Sequence, residues 1–69
     1  MTIQECADNK VKEIRRPMWP KGKWIALDFD PRGNISAWGL LHEEGQPLRR
    51  IDVVGDDNTD YVALDTKNR

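Results

Sequence analysis

Few side chains in this 69-residue chain can do chemistry. Cys6 is its only cysteine and His42 its only histidine. A single thiol forms no intrachain disulfide, and Cys-rich, Cys₂His₂ and His₃ metal sites are all out of reach. Neither residue has partners at a spacing that suggests a nucleophilic triad. His42 stands beside Glu43 and Glu44 and reads as a solvated side chain. What remains is carboxylate chemistry. Asp28 and Asp30 close an apolar run, and Asp52, Asp56, Asp57, Asp60 and Asp65 fall in a stretch with nothing basic between residues 52 and 65. Carboxylates can attack, move protons or hold a cation, provided a scaffold aims them at one point.

Two patterns among these carboxylates have known counterparts. Ile25-Ala26-Leu27-Asp28-Phe29-Asp30 resembles the first motif of the haloacid-dehalogenase superfamily, and Val53-Val54-Gly55-Asp56-Asp57-Asn58-Thr59-Asp60 resembles that family's acidic motif. The resemblance implies Asp28 as a nucleophile toward phosphate, Asp30 as its acid/base, and magnesium held by Asp56 and Asp60. The family sets these motifs on parallel strands separated by several βα units. Here only 25 residues separate Asp30 from Asp56, and the hairpin and third strand described below occupy them. Pro31 also stands where a small turn residue belongs. Asp residues at strand ends make turns, and that is how we read these. Asp56-x-Asn58-x-Asp60 is similar to the first ligand positions of an EF-hand loop. The sixth position is Tyr61 instead of Gly, and the twelfth is Lys67 where a bidentate carboxylate is needed. We expect no enzymatic activity, no metal and no cofactor.

The elements that would position these groups are short. Thr2 with Glu5 fits a capping box, and Ile3, Ala7, Val11 and Ile14 recur at roughly helical spacing, which predicts a helix over 3–15. The alternative for this segment is a disordered arm leading into a strand over 10–16. Two prolines and a glycine make 17–22 a loop. Ile25, Leu27 and Phe29 then alternate with Trp24, Ala26 and Asp28, and a second apolar run covers 35–41. The turn between them, Asp30-Pro31-Arg32-Gly33-Asn34, predicts a β-hairpin. A third strand is expected over 48–54, a fourth over 61–65, and a frayed tail over 66–69. Short links favour antiparallel neighbours. The expected fold is a single β-rich α+β domain: an antiparallel meander of about four strands over 22–66, with a short helix or arm over 1–16. A small all-β barrel is the alternative. Ile25, Leu27, Phe29, Ala37, Leu41, Ile51, Val53, Val62 and Leu64 are the expected core.

A chain this short buries only about 60% of its unfolded surface, so docking on a partner or forming a homo-oligomer would add stability. Hydrophobic residues at 38% and three Trp argue against full disorder. No apolar run is long enough for a membrane helix, and no secretory pattern opens the sequence. With the lone cysteine, this suggests a cytoplasmic setting. Net charge is −1 but unevenly spread. Residues 1–27 hold six basic groups against three acidic, giving +3, and residues 28–69 hold five against nine, giving −4.

Three binding surfaces follow. The first is basic and aromatic: Lys10, Lys12, Arg15, Arg16, Lys21 and Lys23 with Trp19 and Trp24, extended by Arg49 and Arg50. It suits nucleic acid through phosphate attraction and base stacking, although a pI near 5.7 is low for a dedicated DNA binder. The second is a Trp-bearing side of the hairpin, with Trp24 and Trp38 opposite the core face and Trp19 in the Pro-bounded loop; Trp and Arg are enriched at protein-binding hot spots. The third is acidic: Asp52, Asp56, Asp57, Asp60 and Asp65, able to imitate phosphates or to protect sheet edges. The leading expectation is a non-catalytic protein-binding module, an accessory, regulator or inhibitor similar in build to small phage-like accessory proteins. The alternative is a nucleic-acid-binding module using residues 10–24.

Overall fold

The computed structural model describes residues 1–65. The elements are α1 (Ile3–Asp8), β1 (Glu13–Arg15), β2 (Trp24–Phe29), β3 (Ile35–His42), β4 (Arg49–Asp52) and β5 (Val62–Ala63). The strands form one open antiparallel sheet in the order β4-β3-β2-β1-β5. The sheet-rich class stands as expected; five strands replace about four. The expected fraying of 66–69 lies outside the described residues.

Helix α1 starts at the expected capping box: the Thr2 hydroxyl accepts from Glu5 N–H at 3.1 Å, and the Glu5 carboxylate accepts from Thr2 N–H at 2.9 Å. It does not run to residue 15. Asn9 caps it, and Lys10 takes φ 63°, with Lys10 N–H donating to Ala7 C=O and Val11 N–H to Cys6 C=O. This is a Schellman ending, normally built on glycine. Val11 and Ile14, counted as helical by their spacing, lie beyond it. Ile14 instead sits on β1, opposite Ile25, so both the helix and the strand considered for this segment are present in sequence.

The hairpin of β2 and β3 is as read from sequence. Its register pairs Ile25 with Leu41 and Leu27 with Gly39 before an irregularity, after which Phe29 pairs with Ile35. Three residues, 36–38, therefore oppose Asp28 alone. Ala37 lies at this bulge and is exposed, which removes it from the core. Gly39 is required by close packing: a Cβ there would lie 2.9 Å from Ala26 O and 3.2 Å from Ile25 Cγ2.

The expected meander fails at its last link. β4 lies beside β3, but the chain then crosses the sheet to put β5 on the far edge, beside β1. Four interstrand steps span about 19 Å. The nine residues 53–61 reach roughly 30 Å when extended, so the crossing is sterically easy. Met1 fixes it in place: its amine donates to Thr59 O at 2.8 Å and Tyr61 O at 2.9 Å, and its carbonyl accepts from Tyr61 N–H at 2.9 Å.

The core lies between one sheet face and the layer made by α1 and this crossing. Ile25, Leu27, Leu41 and Val53 are buried as expected, and Phe29 and Ile51 pack against them partly buried. Ile3, Cys6, Ile14 and Tyr61 complete the cluster. Val62 is exposed and Leu64 half-buried, because β5 is a two-residue edge strand whose buried neighbour is Tyr61.

Candidate functional site

Because α1 covers the face of Ile25 and Leu27, strand alternation turns Trp24, Ala26 and Asp28 to the opposite face. Trp38, Leu40 and His42 of β3 and Arg50 of β4 join them there. The register pairs Trp24 with His42, Ala26 with Leu40, Leu40 with Arg50 and Trp38 with Asp52. The Trp24 and His42 rings stack at 3.7 Å between centroids and 6° between planes. His42 is thus a half-buried stacking partner and not the solvated side chain expected beside Glu43 and Glu44. Across the face, the Arg50 guanidinium lies 4.3 Å from the Trp38 ring centroid, a cation–π contact. Leu40 lies between the two units, paired with Ala26 on one side and Arg50 on the other. Both Trp side chains are half-buried on the sheet face opposite α1.

Trp19 belongs elsewhere. It packs against the core, edge-on to Tyr61 at 6.1 Å, with the Lys23 ammonium 5.0 Å from its ring centroid. Arg15 is buried on β1, and its Nη2 donates to Trp19 C=O while its Nε has no hydrogen-bond partner. Arg16 makes a two-pronged contact with Asp60, Nε to Oδ1 at 2.9 Å and Nη2 to Oδ2 at 3.2 Å. That hydrogen-bonded charge holds the Asp60 carboxyl below its usual range. The basic and acidic segments of the sequence therefore meet inside one molecule. Lys10, Lys12 and Lys21 are exposed. Arg49 pairs with Glu43 at 2.7 Å.

The carboxylates read as turn formers hold turns. Asp30 accepts from the N–H groups of Arg32 and Asn34, both at 2.9 Å, and Asp28 accepts from the Ser36 hydroxyl at 2.9 Å. Asp56 accepts from Asn58 N–H at 3.0 Å and from the Tyr61 hydroxyl at 2.7 Å. Burial, then the bond to Asp56, pushes the Tyr61 phenol well above its ordinary pKa. Asp52, Asp57 and Asp65 are exposed. Among the described residues no three His, Cys, Asp or Glu side chains converge as a metal site. Cys6 is fully buried, and desolvation raises its thiol pKa, away from the thiolate that nucleophilic attack requires.

Of the nine residues expected at a partner-binding surface, Trp24, Trp38 and Arg50 share the open sheet face. Arg15, next to Ile14 on β1 and so turned to the face of Trp24, is buried and donates to Trp19 C=O; Trp19 packs on the core, Arg16, Lys23 and Arg49 are engaged by Asp60, Trp19 and Glu43, and Lys21 is exposed. Leu40 and His42 also belong with the open face, and the alternation 38, 40, 42 carries that signal. Among the described residues no helix is long and apolar enough to cross a membrane. No protein-family model matches the chain, and neither a curated protein nor a solved structure matches it significantly.

Proposed function

We propose that this chain is a non-catalytic protein-binding module that docks a partner protein through the open sheet face of Trp24, Trp38, Leu40, His42 and Arg50. The observation that carries this reading is the placement of two half-buried Trp rings on the face opposite α1, each held by a neighbour: His42 on Trp24 and Arg50 on Trp38. Rings fixed in this way lose little conformational freedom when a partner covers them, which is what makes Trp and Arg effective hot spots. Mixed charge around the face, with Arg50 beside Asp52 and Glu13 beside Ala26, suits a protein surface better than a phosphate backbone. In this reading the molecule works as an accessory, regulator or inhibitor in a reducing, cytoplasmic setting, without cofactor or metal.

The nucleic-acid alternative draws on residues 10–24. Its support is weakened by the burial of Arg15 and the pairing of Arg16 with Asp60. Affinity capture from a native lysate, with and without nuclease, separates the two. A partner retained after nuclease treatment is the expected result. Capture that disappears with nuclease, together with low-salt binding to DNA or RNA that falls steeply as salt rises, would replace this reading with the nucleic-acid one.

A further inference from the structure

β4 is an edge strand of the sheet. Val53 N–H donates to Ala37 C=O at 3.0 Å, and antiparallel bonding alternates. Arg49 and Ile51 therefore bond back to β3, while the N–H and C=O groups of Arg50 and Asp52 point away from the sheet. Such an edge is a template for another strand, and natural proteins often blunt one with charged side chains. Here the two outward-bonding residues carry opposite signs.

From this we infer that β4 pairs antiparallel with β4 of a second copy, about a two-fold axis through Ile51. Registers that satisfy the outward backbone groups centre on residue 50, 51 or 52. Centring on Arg50 sets Arg50 against its own copy, and centring on Asp52 sets two carboxylates together. Centring on Ile51 sets Arg50 of each chain opposite Asp52 of the other, twice. The same register brings Leu48, just before β4, toward Val54 of the second copy, which opens the turn after β4; these are among the most exposed large apolar side chains, at 57% and 72%. Opposite charges and apolar pairs directly across an antiparallel junction both stabilise it. The two Arg50–Asp52 pairings place four backbone hydrogen bonds across the junction. Both open faces end on the same side of a continuous ten-stranded sheet. This inference concerns the sheet edge and meets the proposed docking face at Arg50, whose guanidinium lies on Trp38; exchange of the Arg50 and Asp52 amides reports the edge alone.

Sedimentation equilibrium and amide hydrogen exchange test it on the wild-type chain. The expected result is a concentration-dependent mass rising from that of one 8.0 kDa chain to twice that value, with the Arg50 and Asp52 amides becoming protected over the same range. Arg50→Asp or Asp52→Arg alone should weaken association about tenfold or more, and the double reversal Arg50→Asp/Asp52→Arg should restore most of it. A wild-type chain that stays monomeric at about 1 mM overturns the inference. So does a dimer in which the Arg50 and Asp52 amides still exchange freely, or a folded double reversal no better associated than the single variants. The exchange measurement needs no substitution, so it decides the matter even if a variant fails to fold.

Discussion

Tyr61→Phe removes one oxygen from the centre of the molecule and tests how the crossing segment is held. Tyr61 is the only tyrosine, is 2% exposed, and its hydroxyl donates to Asp56 at 2.7 Å. Deleting a hydrogen bond to a charged acceptor costs about 1.5–3 kcal/mol. Asp56 keeps its bond from Asn58 N–H and is only half-buried, so the loss belongs at the lower end, about 1.5 kcal/mol. For a domain of this size that lowers Tm by roughly 6–12 °C. The pH dependence gives a second, sharper signature. The folded phenol is held protonated well above its ordinary value by burial and by Asp56. The unfolded phenol ionises near pH 10, so above about pH 10 the unfolded state binds fewer protons than the folded state. Wild-type stability contributed by Tyr61 is thus complete below about pH 10 and declines above it, by up to about 1.4 kcal/mol per pH unit, until the folded phenol also ionises. Phe has no such loss. Urea denaturation of both proteins from neutral to alkaline pH should show wild type more stable at pH 7 and the gap closing above about pH 10. Tyrosinate absorbance follows this single group directly. A folded phenol that ionises near pH 10, with Tyr61→Phe as stable as wild type at pH 7, would refute the claim that Tyr61 locks the crossing.

Four further substitutions probe other parts of the fold. Lys10→Gly relieves a left-handed backbone position at the helix end, and thermal or urea denaturation should show a gain of about 0.5–1 kcal/mol. Gly39→Ala forces a methyl group against Ala26 O and Ile25 and should cost about 1–3 kcal/mol by the same measurement. Trp19→Ala and Trp38→Ala should diverge. The first opens the core beside Tyr61, costs about 3 kcal/mol and leaves much of the chain unfolded; the second loses chiefly the Arg50 contact and about 1 kcal/mol, with far-UV circular dichroism unchanged.

The β2–β3 hairpin was readable because two signals agreed there, period-two alternation and a Pro-Gly-Asn turn. The N-terminal segment misled because Ile3, Ala7, Val11 and Ile14 keep a helical spacing across a helix end made by Lys10, a residue that rarely takes a left-handed backbone. Asp8-Asn9 interrupts the apolar pattern there, and Asn9 is the cap, but no residue type marks the left-handed turn at Lys10. The path after β4 was read as a hairpin because Gly55-Asp56-Asp57-Asn58 is turn-like, and it does turn. What sends the chain across to β1 is the burial of Tyr61 and its clasp by Met1, contacts between residues 60 apart that local patterning does not encode. The open face followed from alternation once the covered side was known. The pattern does not settle which of Trp19, Trp24 and Trp38 serves the core: Trp24 and Trp38 sit on strands that could be covered on either face, Trp19 sits beside Pro20, and only the tertiary fold distinguishes them.

The role of the open face is tested most directly by capturing a partner from nuclease-treated lysate with wild type and with Trp38→Ala, both verified as folded. Wild type is expected to retain a specific protein and Trp38→Ala to lose it, with an affinity drop of about thirtyfold or more for a hot-spot residue. Capture equal to that of wild type by both a folded Trp38→Ala and a folded Trp24→Ala would contradict the assignment of that face as the docking surface.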